Sequence, residues 1–145
     1  MNWKHEAIEK LKEYEVRKLS ISTIPEEIRR LEADYRRIRS ASGDSTPVKG
    51  GSSAREDILL SNIVRREELV RALDQAKRWV ALVDTGLKAL SPNDRLVLDR
   101  FYLHPERDSV DRVCMELGIE KATVYRRRDK ALRSFTLALY GSLEN

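Results

Sequence analysis

A single cysteine, Cys114, stands in the chain, so no intramolecular disulfide framework can brace the fold. Long apolar runs are missing as well. No stretch reaches the roughly 18 apolar residues of a membrane helix, and the opening "MNWKHEAIEK" lacks the apolar core of a secretory signal. A cytoplasmic location is expected by elimination. His5 and His104 lie far apart with no second ligand at metal spacing, and both are expected at the surface. "VKGGSS" lacks the lysine after its glycines and the helix-start context of a phosphate-binding loop, and the acids form no clustered pair. Cys114 has no neighbouring histidine in sequence and reads as a core residue. No enzyme, cofactor or metal is expected.

Glycine and proline are scarce, 6 and 4 of 145 residues, while 36% of the chain is charged. Charge well above the usual quarter, with few chain breakers, favours long exposed helices over sheet. The length suits one compact domain or two very small ones. Net charge is only +4, but its distribution is uneven. Residues 121–133 hold Lys121, Arg126, Arg127, Arg128, Lys130 and Arg133 against Asp129 alone, whereas residues 91–120 hold four arginines and seven acids. Concentrated positive charge of this kind is an electrostatic footprint for a polyanion.

Apolar periodicity divides the rest into helices. Residues 2–19 space Trp3, Ala7, Ile8, Leu11 and Tyr14 along one face. "SISTIPEE" punctuates, with Pro25 suited to the first turn of a second helix over 25–39, where Ile24, Ile28, Leu31, Tyr35 and Ile38 alternate by four and three. Residues 40–53, "SASGDSTPVKGGSS", have no periodicity and read as a flexible linker. A long helix from Ala54 to Leu90 follows, striped by Leu69, Leu73, Ala76, Val80, Val83, Leu87 and Leu90. At 1.5 Å per residue it spans roughly 50 Å, too long for a compact core to cover. Trp3 and Trp79 fall on these stripes and suit core or interface burial. Two heptad-like helices joined by a linker suggest an antiparallel, coiled-coil-like hairpin over residues 1–90. A plain bundle with no further role fits the same pattern, as does a seam for a homo-oligomer or partner.

Residues 91–145 form the second expected domain. Ser91 suits an N-cap, with Pro92 at the first helical position and Asp94 at the third. A helix over 92–103 draws its core from Leu96, Val97, Leu98, Phe101 and Tyr102. After "HPERDS", with Asp108 or Ser109 as cap, another runs to Leu117 and Gly118 breaks it. The last begins near Lys121 and ends before Gly141. In "VDRVCMELGIEKATVYRRR", Gly118 supplies a turn able to take positive φ, Cys114 is the small residue four before it, and Val113, Leu117, Ile119 and Val124 are apolar where two crossing helices need them. This is a helix-turn-helix pattern. Its second helix, about 121–139, would enter the major groove, with Lys121, Ala122, Tyr125 and Arg126 near base edges and Thr123, Arg127, Arg128 and Lys130 near phosphates. The bland alternative is a solvated helix whose arginines pair with acids, Asp129 being the close candidate.

"LSPNDRLVLDRFYL…SVDRVCMELGIEKATVYRRRDKALRSF" resembles region four of bacterial sigma factors, the part that reads the −35 promoter element, over about residues 90–136. The likeness includes the Leu-Ser opening before a helix with Arg95, Val97, Leu98 and Tyr102. It puts Lys121, Ala122 and Arg126 where sigma factors contact bases, and Lys130 and Ala131 at the basic and small positions that follow. The upstream part resembles no promoter-melting region, and the whole layout is similar to phage-encoded regulators of the ArpU/RinA type, which are regarded as late-gene activators. The resemblance implies an all-α protein that binds double-stranded DNA, with RNA polymerase as a candidate second partner. Sigma-type domains carry an aliphatic, core-facing residue at the position of Arg127 or Arg128, and here both are arginine. Either one stem lies along the core or the helix is rotated. A helical adaptor for a protein partner and a phage DNA-packaging subunit are the competing readings.

Overall fold

The computed structural model describes residues 2–41 and 51–143, of residues 51 and 52 the backbone alone. All regular elements among them are helical: α1 (Trp3–Ser40), α2 (Gly51–Lys88), α3 (Pro92–Leu98), a π-helical turn (Asp99–Leu103), α4 (Ser109–Leu117) and α5 (Lys121–Tyr140). None of the described helices is long and apolar enough to cross a membrane.

Two expectations about the first ninety residues need correction. Residues 2–19 and 25–39 are not separate helices: α1 runs unbroken through Pro25. Proline removes one backbone donor and crowds the preceding turn. There the Ser22 hydroxyl donates to the Leu19 carbonyl at 2.8 Å and Thr23 to that of Ser20 at 3.5 Å, so these residues bond back along the helix instead of capping a new one. Contacts with α2 hold both sides of the proline. Tyr14 donates to Asp84 at 2.5 Å upstream, and Asn62 donates to the Leu31 carbonyl at 2.9 Å downstream. The second correction concerns the linker expected over 40–53. Ser40 ends α1, and α2 starts at Gly51 rather than Ala54, since glycine and serine are tolerated at the edge of a helix; residues 42–50 lie outside the described residues.

The chain packs as two units, residues 1–17 with 78–145 and residues 18–77. In the first, the start of α1 and the end of α2 meet in opposite directions, Tyr14 against Asp84 and the Arg17 guanidinium over Trp79 at 4.8 Å. Helix α5 completes their core. Ala7, Leu11, Val83, Leu132 and Phe135 are all at most 1% exposed, each large side chain worth about 1.5–3 kcal/mol by burial. The helices approach closely at Gly86, where a Cβ atom would lie 2.8 Å from the Phe135 ring and 2.9 Å from Leu139. Burial and the bond to Asp84 push the Tyr14 hydroxyl up to about 12, so it stays a donor. Among the described residues the second unit has the α1 and α2 segments alone, and Ile24, Ile28, Leu31, Tyr35 and Ile38 are half-buried.

Local chemistry sets the remaining ends. The Ser91 hydroxyl accepts from the Asp94 N–H at 3.2 Å, and Pro92 opens α3. Arg95 reaches back to donate its Nε–H to the Leu87 carbonyl at 3.1 Å, satisfying an end group of α2. Helix α3 widens into the π-turn, marked by the His104 N–H donating to the Asp99 carbonyl at 2.8 Å. Asp108 takes the N-cap position of α4, as expected, its carbonyl accepting from the Arg112 N–H at 2.9 Å. Asp108 makes no side-chain cap bond, and Ser109 instead donates to the Arg100 and Glu106 carbonyls at 2.7 Å. Gly118 and Gly141 end α4 and α5 at φ of +64° and +72°, values few other residues adopt.

Candidate nucleic-acid interface

Helices α4 and α5 are joined across Gly118. The Gly118 and Ile119 N–H groups both donate to the Cys114 carbonyl, the latter at 3.2 Å, which fixes how α4 stops. Beneath the turn, Val97, Val113 and Val124 are fully buried and pack with Phe101, Val110, Cys114, Leu117 and Ile119. The apolar set expected around the glycine is thus brought together, and Cys114 lies half-buried within it. Arg100 ties α4 to the π-turn, donating to Glu116 at 3.2–3.3 Å and to Asp99 at 2.5 Å. Its hydrogen bond to Glu116 raises the guanidinium pKa further.

Helix α5 is buried along Val124, Ala131, Leu132, Phe135 and Thr136. Its opposite side exposes Lys121, Ala122, Tyr125, Arg126, Lys130 and Arg133, with Thr123 half-buried. Ala122, Arg126, Lys130 and Arg133 follow one another at spacings of four, four and three, so they share a face. The Arg126 Nη2 lies at the edge of hydrogen-bond range, 3.5 Å from the Thr123 hydroxyl, and its guanidinium is open to solvent. Arg133 belongs to this ridge by its spacing from Lys130, a signal present in the sequence but not used for the expected site.

The other two arginines point elsewhere. The Arg127 Nε–H donates to Asp94 Oδ1 at 3.4 Å, and the Asp94 side chain is only 9% exposed. Arg128 lies over the rings of Phe101 and Tyr125, its guanidinium carbon 5.4 and 5.2 Å from their centroids. It also donates to Asp129 at 3.4 Å, and its buried Nε has no hydrogen-bond partner among the described residues. Both stems therefore run along the protein, and both positions carry part of the core-facing role. Asp129 serves Lys4 as well, at 3.3 Å. The acid expected to partner the arginines is joined by Asp94, which the sequence presents only as a first-turn residue of α3. Its partner is 33 positions away, and no local signal marks the pair.

His104 is exposed, as expected, but it bridges two acids. Nδ1 lies 2.8 Å from Asp99 and Nε2 lies 3.2 Å from Glu15 of α1. The hydrogen bond with Asp99 raises its pKa above the usual 6.5. Among the described residues there is no group of three or more histidine, cysteine or acidic side chains that could hold a metal ion. What the surface offers instead is a row of exposed cations with an aromatic ring beside it, able to meet a polyanion. No protein-family model matches the chain, and no curated protein or solved structure is significantly similar to it.

Proposed function

We propose that this chain is a sequence-specific, double-stranded-DNA-binding transcription regulator, in which α4 and α5 act as a helix-turn-helix and α5 lies in the major groove. The observation that carries the reading is the solvent-facing start of α5, with Lys121, Ala122, Tyr125 and Arg126 exposed over a fully buried Val97–Val113–Val124 core. A recognition helix needs that arrangement: fixed from behind, open in front, cationic along its length. Arg126 reads a base edge, while Lys130 and Arg133 meet backbone phosphates and supply salt-dependent affinity. Arg127 and Arg128 set the rotation of the helix through Asp94 and Phe101 and leave direct contact with DNA to their neighbours.

The resemblance to sigma region four and to phage regulators of the ArpU/RinA type narrows the role to promoter-proximal control of phage late genes. On this reading α1 and α2 form an antiparallel hairpin that joins two copies or holds the protein on RNA polymerase, since a single module of few phosphate contacts binds weakly alone. It is a binding protein rather than an enzyme.

The direct test is a mobility-shift titration of the chain against its own upstream region at two salt concentrations. A regulator shifts a preferred duplex and weakens as salt rises. An adaptor shifts nothing, and a packaging subunit shifts DNA without activating a promoter.

A further inference from the structure

We infer that the unit of residues 18–77 carries a self-complementary surface for a second copy of this chain, centred on Val70 of α2. This rests on the reading in which the α1–α2 hairpin joins two copies, while its test reads assembly alone and needs no DNA. In the unit containing α5, a third helix covers the seam between α1 and α2, and Leu11 and Val83 are fully buried. In the unit of residues 18–77 the α1 segment has no fully buried residue, since no third helix packs on it among the described residues. An open groove of about 390 Å³ remains, floored by Ile28, Ile63 and Val70. Leu60, Val64 and Val70 are 60%, 44% and 54% exposed. Ile63, Glu67, Val70 and Arg71 follow one another at steps of four, three and one, so the apolar floor and its charged rim share one face of α2.

Charge identifies the occupant. Elsewhere on these helices acids and arginines pair along the chain: Glu26 with Arg29, Glu27 with Arg30, Asp34 with Arg37 and Arg65 with Glu68. Glu32, Glu67 and Arg71, which rim the groove, have no ion-pair partner among the described residues. Glu67 and Arg71 stand one helical turn apart with opposite sign. If two α2 helices cross antiparallel about a two-fold axis between them, Glu67 of each copy meets Arg71 of the other, with Val70 beside the axis. Parallel packing would set Glu67 against Glu67. The two-fold contact satisfies both charges at once and covers the apolar flank, as an isologous interface requires. An unrelated partner would have to supply both signs at that spacing.

Sedimentation velocity on the full chain, with Glu67→Arg, Arg71→Glu, the double exchange and Val70→Asp, tests this. The expected result is a reversible dimer that each single reversal weakens roughly tenfold or more, by setting like charges together, and that the double exchange restores. Val70→Asp acts on the apolar floor and also shifts the protein to monomer, which keeps the surface testable should a reversal cost helix by circular dichroism. A wild-type protein that is monomeric at every concentration overturns the inference. So does a dimer that Val70→Asp and both single reversals leave unchanged.

Discussion

Arg127 Nε donates to Asp94 Oδ1 across 3.4 Å, joining the middle of α5 to the first turn of α3. The contact separates three consecutive arginines into different jobs. It holds Arg127 sideways, which together with Arg128 over Phe101 leaves Arg126 as the arginine facing solvent.

Arg126→Ala and Arg127→Ala are therefore expected to fail in opposite ways. Arg126→Ala keeps the melting temperature and loses about 1–3 kcal/mol of binding at one or two base positions. Arg127→Ala lowers stability by about 1–3 kcal/mol, because the nearly buried Asp94 carboxylate loses its charged partner. Thermal melts and binding to a panel of single-base-substituted duplexes, run on both variants, distinguish them. Equal loss over all sequences for Arg126→Ala means that it touches only phosphate.

Two glycines should respond differently to alanine. Gly86→Ala drives a methyl group to within 2.8–2.9 Å of Phe135 and Leu139, and overpacking of this kind costs about 1–3 kcal/mol. Nothing lies within 4 Å of a Cβ at Gly118, so Gly118→Ala meets only the strain of φ +64°, about 1–2 kcal/mol. Trimming the neighbour tells them apart: Phe135→Leu partly relieves Gly86→Ala and does nothing for Gly118→Ala in denaturant melts.

His104 gives the fold a pH dependence of known sign. Asp99 and Glu15 face its ring and Arg100 opposes them, with a net rise above 6.5. A raised folded pKa means that the stabilisation is complete below pH 6.5 and fades as pH climbs through the higher folded value. Stability measured from mildly acidic to mildly basic pH should fall for the wild type across that window. His104→Asn should flatten the fall, and an unchanged profile would show that the bridge contributes nothing.

Much of this was legible in short stretches of sequence. Ser91, Gly118 and Gly141 act on backbone groups a few residues away, so their caps and turns could be read directly. The stripe from Leu69 to Leu87 of α2, with Leu90 just past its end, was equally readable, because six of its seven residues are buried and Leu73 half-buried. Pro25 misled because its local signal is a helix start, whereas contacts far along the chain, at Asp84 and Asn62, keep α1 continuous. The roles of Arg127 and Arg128 were hidden for a related reason: rotation of α5 is set by Asp94 and Phe101, on another element. Gly86 gave no sign, since its neighbour Phe135 lies 49 positions later.

The most direct measurement is selection of bound duplexes from a random pool by the full chain, followed by anisotropy titration of the enriched sequence over a range of salt. One enriched motif is expected, with affinity that falls steeply with salt and a salt slope about one unit shallower for Lys130→Ala. A pool that stays random, with no salt-sensitive binding to any duplex, would contradict the proposed function.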